Sequence, residues 1–140
     1  MLDPYNIIPI IVKFSIPFLL GSLIFFSVIV APTTFMNLDQ KNARKFIRNI
    51  FPKLYLWAHI ISLIISLLIL SFDLILGAIV LLVSFGFLFS RQYLVKWINE
   101  VSDTKLKNKQ QQKKFKLLHT ISVMIFISQI ICLSIIYFYV

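Results

Sequence analysis

The sequence alternates long apolar runs with short basic segments. No charged residue lies between positions 14 and 31, and residues 54–90 contain a single charged side chain, Asp73. A helix over this second run would be about 55 Å long, nearly twice the roughly 30 Å hydrocarbon core of a bilayer. The chain must therefore reverse, and residues 71–73 are the polar point where it does so. Together with a last apolar run, the pattern predicts four membrane spans at residues 14–31, 54–72, 74–90 and 117–140.

Between the first two predicted spans, the apolar positions follow one face of a helix. They recur at i, i+3, i+4, i+7 and i+8 and are Ala43, Phe46, Ile47, Ile50 and Phe51. The opposite face carries Arg44, Lys45, Arg48 and Asn49. The pattern predicts a basic amphipathic helix over residues 39–51 that lies in the membrane interface, with Asp39 as its N-cap and Pro52 as its end. The alternative is a helix packed on a soluble core, which the flanking apolar runs disfavour.

Composition agrees with a membrane protein. Of the 140 residues, 59% are hydrophobic and 14% are charged, which excludes a water-soluble globular domain. The single cysteine, Cys132, lies in the last apolar run and excludes an intrachain disulfide. The predicted fold class is all-α: an integral membrane four-helix bundle, one domain over residues 1–140, with one interfacial amphipathic helix in the first cytoplasmic loop.

The basic residues predict the orientation of the spans. Of the 14 Lys and Arg residues, five lie in residues 41–53 and eight in residues 91–116, which leaves Lys13 for the other side. Cytoplasmic loops carry the excess of Lys and Arg. We therefore expect both basic segments to be cytoplasmic, and both termini and Asp73 to be periplasmic, in a bacterial inner membrane. Tyr55, Trp57, Tyr93 and Trp97 fall at the predicted cytoplasmic ends, where interfacial aromatic residues concentrate.

Charge and motifs limit the chemistry. No phosphate-binding glycine loop, metalloprotease motif or nucleophile elbow is present, and the five acids are scattered over both faces. We therefore expect no enzyme activity and no cofactor. The net charge is +9, and the basic residues that produce it border apolar spans. The expected partner is therefore the lipid bilayer, with anionic lipid at the basic loops, and not nucleic acid.

Polar side chains near the predicted cytoplasmic ends form a candidate cluster. Its members are Thr33, Thr34, Arg44, Arg48, His59, Arg91, Asn99, Asp103 and His119. Ionisable groups inside spans are costly and often functional, whereas groups near helix ends reach the interface at small cost. We favour a structural polar layer over a substrate site for this set.

The two histidines raise one specific alternative. His59 lies about 9 Å beyond Lys53 and His119 about 4.5 Å beyond Lys116, so their depths differ by less than one helical turn. Facing histidines in four-helix bundles hold haem. Whether these two meet depends on the order of the helices. We expect both rings to point into the bundle at its cytoplasmic end, without bound haem or metal.

Two short patches carry a family resemblance. The first comprises Val30, Ala31, Pro32, Phe35, Leu38, Ala43, Arg44, Phe46, Arg48, Phe51 and Pro52; the second comprises Leu118, His119, Ser122 and Val123. The chain thereby resembles the transmembrane protein 205-like family of small four-span membrane proteins, filed as a domain of unknown function. Phe126 replaces an expected asparagine, and Ser102-Asp103 replaces an expected Arg-Asp pair. The resemblance implies an architecture and no particular activity.

The sequence thus leaves three functional hypotheses open. The first is a small non-enzymatic transport, export or accessory module. It would be a homo-oligomer if the four spans of one chain are too few to surround a transport pathway. The second is a membrane haem or redox protein that uses His59 and His119. The third is a structural subunit of a larger membrane complex.

Overall fold

A computed structural model describes residues 4–103 and 108–140, with side chains described from residue 7 onward. Four long helical segments run through it, called spans 1 to 4 below. Span 1 (Ile7–Asn37) combines most of α1 (Pro4–Phe25), a π-helical turn (Phe26–Val30) and α2 (Ala31–Asn37). Span 2 is α3 (Gln40–Leu70). Span 3 (Leu74–Asp103) combines α4 (Leu74–Phe89), a second π-helical turn (Ser90–Leu94) and α5 (Val95–Asp103). Span 4 is α6 (Lys109–Tyr139).

The four spans are long and apolar enough to cross a membrane. The most apolar 18-residue stretch of each span has a mean hydropathy of 2.0 to 2.3, yet no more than 33% of any such stretch is buried within the protein. Large side chains such as Phe14, Leu82 and Phe138 remain exposed. Water would disfavour this much apolar surface, whereas lipid does not. The chain is therefore an all-helical integral membrane protein.

The predicted reversal at residues 71–73 is confirmed. The backbone N–H of Asp73 donates to the carbonyl of Ile69, and the Asp73 carboxylate caps α4 by accepting from the N–H of Leu76 at 2.9 Å. Near this turn Gly77 leaves no room for a side chain, because a Cβ there would lie 2.6 Å from Cγ of Leu70. Spans 2 and 3 therefore form a close antiparallel hairpin.

Small residues let that hairpin pack closely. Ala58, Ser62 and Ser66 are fully buried along span 2. The hydroxyl of Ser66 donates to the carbonyl of Gly77 across the interface at 2.9 Å. Close backbone approach at small residues is the usual way in which helices associate in lipid. This stripe of small residues therefore packs span 2 closely against span 3.

Pro52 does not end a helix, so the prediction of a separate interfacial helix over residues 39–51 is not confirmed. The region is helical, and Asp39 caps it as predicted, but α3 continues through Pro52 to Leu70. A proline removes one helical hydrogen bond, a loss that membrane helices tolerate when neighbours support the segment. Phe51 supplies such support, since its ring packs against Phe26 of span 1 at 5.2 Å.

Candidate functional site: the basic end of the bundle

A basic groove lies where the end of span 3 meets the start of span 2. It encloses about 790 Å³, is open on one side, and is lined by Gln40, Lys41, Arg44, Lys45, Arg48, Asn49, Ser102 and Asp103. Four cations at positions i, i+3, i+4 and i+7 of α3 share one helical face. Sequence reasoning identified Arg44, Arg48 and Asp103 as candidates, and the structure brings these three together.

One ion pair crosses the groove. Nη1 of Arg48 lies 2.6 Å from Oδ1 of Asp103, and the two side chains are 35% and 62% exposed. The pair joins the last residue of α5 to α3, two elements that are distant in sequence. Because it is exposed, it contributes only about 0–1 kcal/mol to stability. The pair has a clearer consequence for binding: one of the four cations of the groove, Arg48, already has a carboxylate partner.

The N-cap residue of α3, directly before the groove residue Gln40, carries a second carboxylate. Asp39 accepts from the side chain of Asn42 at 2.5 Å and from its backbone N–H at 3.3 Å. These hydrogen bonds, the side-chain bond first, lower the pKa of Asp39 below its usual value. The cap therefore stabilises α3 above the unfolded pKa, and this contribution is lost as the pH falls through the lowered folded pKa.

His59 faces the neighbouring helix, as expected. Its Nδ1 lies 3.0 Å from the carbonyl oxygen and 2.9 Å from the hydroxyl of Ser84 on span 3. The Ser84 hydroxyl also donates to the carbonyl of His59 at 3.0 Å. A proton on Nδ1 suits this arrangement, because the carbonyl of Ser84 only accepts. The histidine thus strengthens the hairpin between spans 2 and 3.

His119 differs from the prediction. Its ring is exposed and stacks on Phe115 of the same helix, with the ring centroids 6.1 Å apart and the planes at 4°. The expectation that it points into the bundle is wrong, because the rotation of α6 about its axis turns this position outward. The two imidazoles have different partners, and no cluster of three or more metal-ligating side chains occurs among the described residues.

The remaining candidates do not form one layer. Thr33 is exposed, Thr34 donates to the carbonyl of Val30 within its own helix, and Asn99 is half-buried on α5. Arg91, in the second π-helical turn, has a buried Nε with no hydrogen-bond partner in the described part of the chain. The nine predicted residues therefore divide between the groove, the hairpin and isolated positions.

Sequence reasoning left out several of the residues that matter here. Gln40, Lys41, Lys45, Asn49 and Ser102 line the groove but were not candidates, although the periodicity of α3 already placed Lys45 and Asn49 on its polar face. Gln129 was also left out. It is 5% exposed, and its Nε2 donates to the carbonyl of Val83 at 3.1 Å. Its signal in the sequence is a lone amide within an apolar run.

The fold and the basic groove together define a small polytopic helical membrane protein. Comparison with known families identifies it more closely. Residues 14–140 match a domain of unknown function, DUF4149, and the chain belongs to that family. No curated protein and no solved structure gives a significant match. The match covers most of span 1 and the whole of spans 2 to 4. It brings no activity with it, and it does not confirm the more specific resemblance to the transmembrane protein 205-like family.

Proposed function

We propose that the protein is a small non-enzymatic accessory module of the membrane, which works in assembly with other copies or other membrane proteins. The observation that supports this is the interior of the bundle. Its buried residues are mostly apolar, and the hydroxyls of Ser62, Ser66 and Ser84 all donate to backbone carbonyls. These paired hydroxyls line no route for a solute, and the buried Oε1 of Gln129 and Nε of Arg91, which have no partner among the described residues, are isolated positions. Transport or export would therefore need a pathway between chains.

The proposed setting is a bacterial inner membrane, with the basic end in the cytoplasm and both termini in the periplasm. The distribution of Lys and Arg supports this orientation. The haem alternative loses its main support, because His59 contacts Ser84 whereas His119 stacks on Phe115 at the protein surface. No observation favours an enzyme.

Purification of the full chain in a mild detergent tests the proposal. Native mass spectrometry should show assemblies heavier than one 16.3 kDa chain, as homo-oligomers or with co-purifying membrane proteins. The absorbance spectrum should show no band beyond those of the aromatic residues. A monomer alone in both detergent and lipid nanodiscs would contradict an accessory role. A Soret band lost in His59→Ala would establish the redox alternative instead.

A further inference from the structure

The basic face of α3 concentrates unpaired positive charge. Lys41 and Lys45 are four residues apart, as are Arg44 and Arg48, so like charges are neighbours on the same helix. Arg48 has Asp103, but Lys41, Arg44 and Lys45 have no ion-pair partner among the described residues. Like-charged neighbours disfavour the helix unless an anion lies between them. The groove is thus suited to bind an anion. The chain itself pairs only one of the four cations, Arg48, with a carboxylate.

The Arg48–Asp103 pair shows how an oxyanion fits this groove. The carboxylate reaches the guanidinium at 2.6 Å while remaining 62% exposed. Phosphate oxygens bind guanidinium groups with similar geometry, and a phosphodiester carries the same single negative charge as a carboxylate. Because the pair is exposed, an incoming phosphate would displace Asp103 at little cost. Asp103 therefore acts as an internal competitor for one of the four cations.

The position of the groove at one end of the membrane-spanning bundle indicates which kind of phosphate compound fits. Phe35 and Met36 on α2 are 53% and 83% exposed, and Leu38 and Phe46 are also exposed at this end of the bundle. α2 packs against α3, so these exposed apolar side chains lie at the same end of the bundle as the groove, on other faces than the basic one. Basic residues next to membrane spans attract anionic lipid headgroups, and a phospholipid offers a phosphate to the groove together with acyl chains for apolar surface at this end.

We propose that the groove binds the phosphate group of an anionic phospholipid. Arg44 and Lys45 provide the principal contacts, Lys41 adds charge, and Arg48 joins them when Asp103 is displaced. The binding step is an exchange of ion pairs and forms no covalent bond. It goes beyond the accessory role proposed above and does not depend on the assembly state.

Lipid titration of the full-length protein in detergent, read by native mass spectrometry, tests this site. Phosphatidylglycerol supplies the anionic headgroup, phosphatidylcholine the zwitterionic control, and inorganic phosphate the soluble anion. Phosphatidylglycerol should bind the unaltered protein about tenfold more tightly than phosphatidylcholine does, and inorganic phosphate should not compete at equal concentration. Competition by inorganic phosphate at equal concentration would overturn the lipid assignment.

Three variants locate the binding. Arg44→Gln with Lys45→Gln should reduce the affinity for phosphatidylglycerol about tenfold. Lys113→Gln with Lys114→Gln removes the same charge from exposed positions of α6 outside the groove, and should change the affinity less than about twofold. Asp103→Asn should increase the affinity, because it frees Arg48. Helix content from circular dichroism should be unchanged in all three.

Two results with these variants would also overturn the proposal. Equal losses in the groove variant and the α6 variant would mean that binding follows total charge and involves no groove. Weaker binding by Asp103→Asn would mean that Asp103 supports the site and does not compete within it. The Asp103→Asn result remains decisive even if the groove variant fails to fold, because a gain in affinity requires a folded protein.

Discussion

Gly86 and Gln129 show how a single residue fixes a polar group in the interior of the bundle. A Cβ at Gly86 would lie 2.5 Å from Nε2 of Gln129, so the amide occupies the space that a side chain would fill. That amide donates to the carbonyl of Val83, which links spans 3 and 4. Its Oε1 is buried and has no partner within the described residues. The contact therefore depends on glycine at position 86.

Gly86→Ala should destabilise the protein by about 1–2 kcal/mol. The new methyl group would push the Gln129 amide away from the carbonyl of Val83 and leave buried polar groups unpaired. Thermal unfolding in detergent measures the change. Gly21→Ala is the matched control, because a Cβ at that position would meet no atom within 4 Å apart from those of the neighbouring residues and backbone of its own helix. A Gly86→Ala protein as stable as Gly21→Ala would show that the amide is not held as described.

The histidines show what sequence reasoning at the residue scale could not provide. His59 and His119 lie at similar distances from basic segments, which the sequence shows directly. Whether a ring points inward depends on the rotation of its helix, and the sequence of α6 has too little periodicity to fix that rotation for His119. One ring faces Ser84 in the hairpin, and the other stacks on Phe115 at the surface.

At the scale of elements, α3 joins two segments that the sequence separates. Its basic first part and its apolar second part form one helix of 31 residues, about 46 Å long. This exceeds the roughly 30 Å hydrocarbon core by about 16 Å, so the basic part projects beyond it. Pro52 lies inside this helix, between Phe51, which packs on Phe26, and Tyr55, which packs on Phe126 of span 4.

Pro52→Ala should stabilise the protein by about 1–3 kcal/mol, because alanine restores the missing backbone donor and favours the helix. Chemical or thermal unfolding in detergent measures this gain. Lys53→Ala is the control, since it changes an exposed side chain and no backbone group, and should alter stability by less than about 0.5 kcal/mol. A clear loss of stability in Pro52→Ala would show that a break in α3 is required after all.

The elements divide into those that local chemistry decides and those that tertiary contacts decide. The cap at Asp39 and the reversal at Asp73 were predictable because each rests on a side chain that bonds to its own backbone neighbours. The continuity of α3 through Pro52 rests on contacts with span 1, which no local pattern reveals. The π-helical turns at Phe26–Val30 and Ser90–Leu94 were likewise not predicted, since nothing in their composition marks them.

At the scale of the molecule, one end of the bundle carries nearly all the basic residues that the structure describes. The end of span 1, the start of span 2, the end of span 3 and the start of span 4 meet there, as the contacts of α2 and α5 with α3 and of α5 with α6 show. The four-span architecture was predictable because it follows from the lengths of the apolar runs. The groove was predictable only in part, because Asp103 reaches Arg48 only after the spans have packed.

Labelling of single cysteines in intact cells tests the central claim, that this basic end faces the cytoplasm, most directly. In a Cys132→Ser background, Ser71→Cys marks the hairpin turn and Lys113→Cys marks the basic end, both at exposed positions. An impermeant thiol reagent should label the cysteine at position 71 in intact cells, and the cysteine at position 113 only after permeabilisation. Labelling of position 113 but not position 71 in intact cells would contradict the orientation, and with it the placement of the basic groove at the cytoplasmic surface.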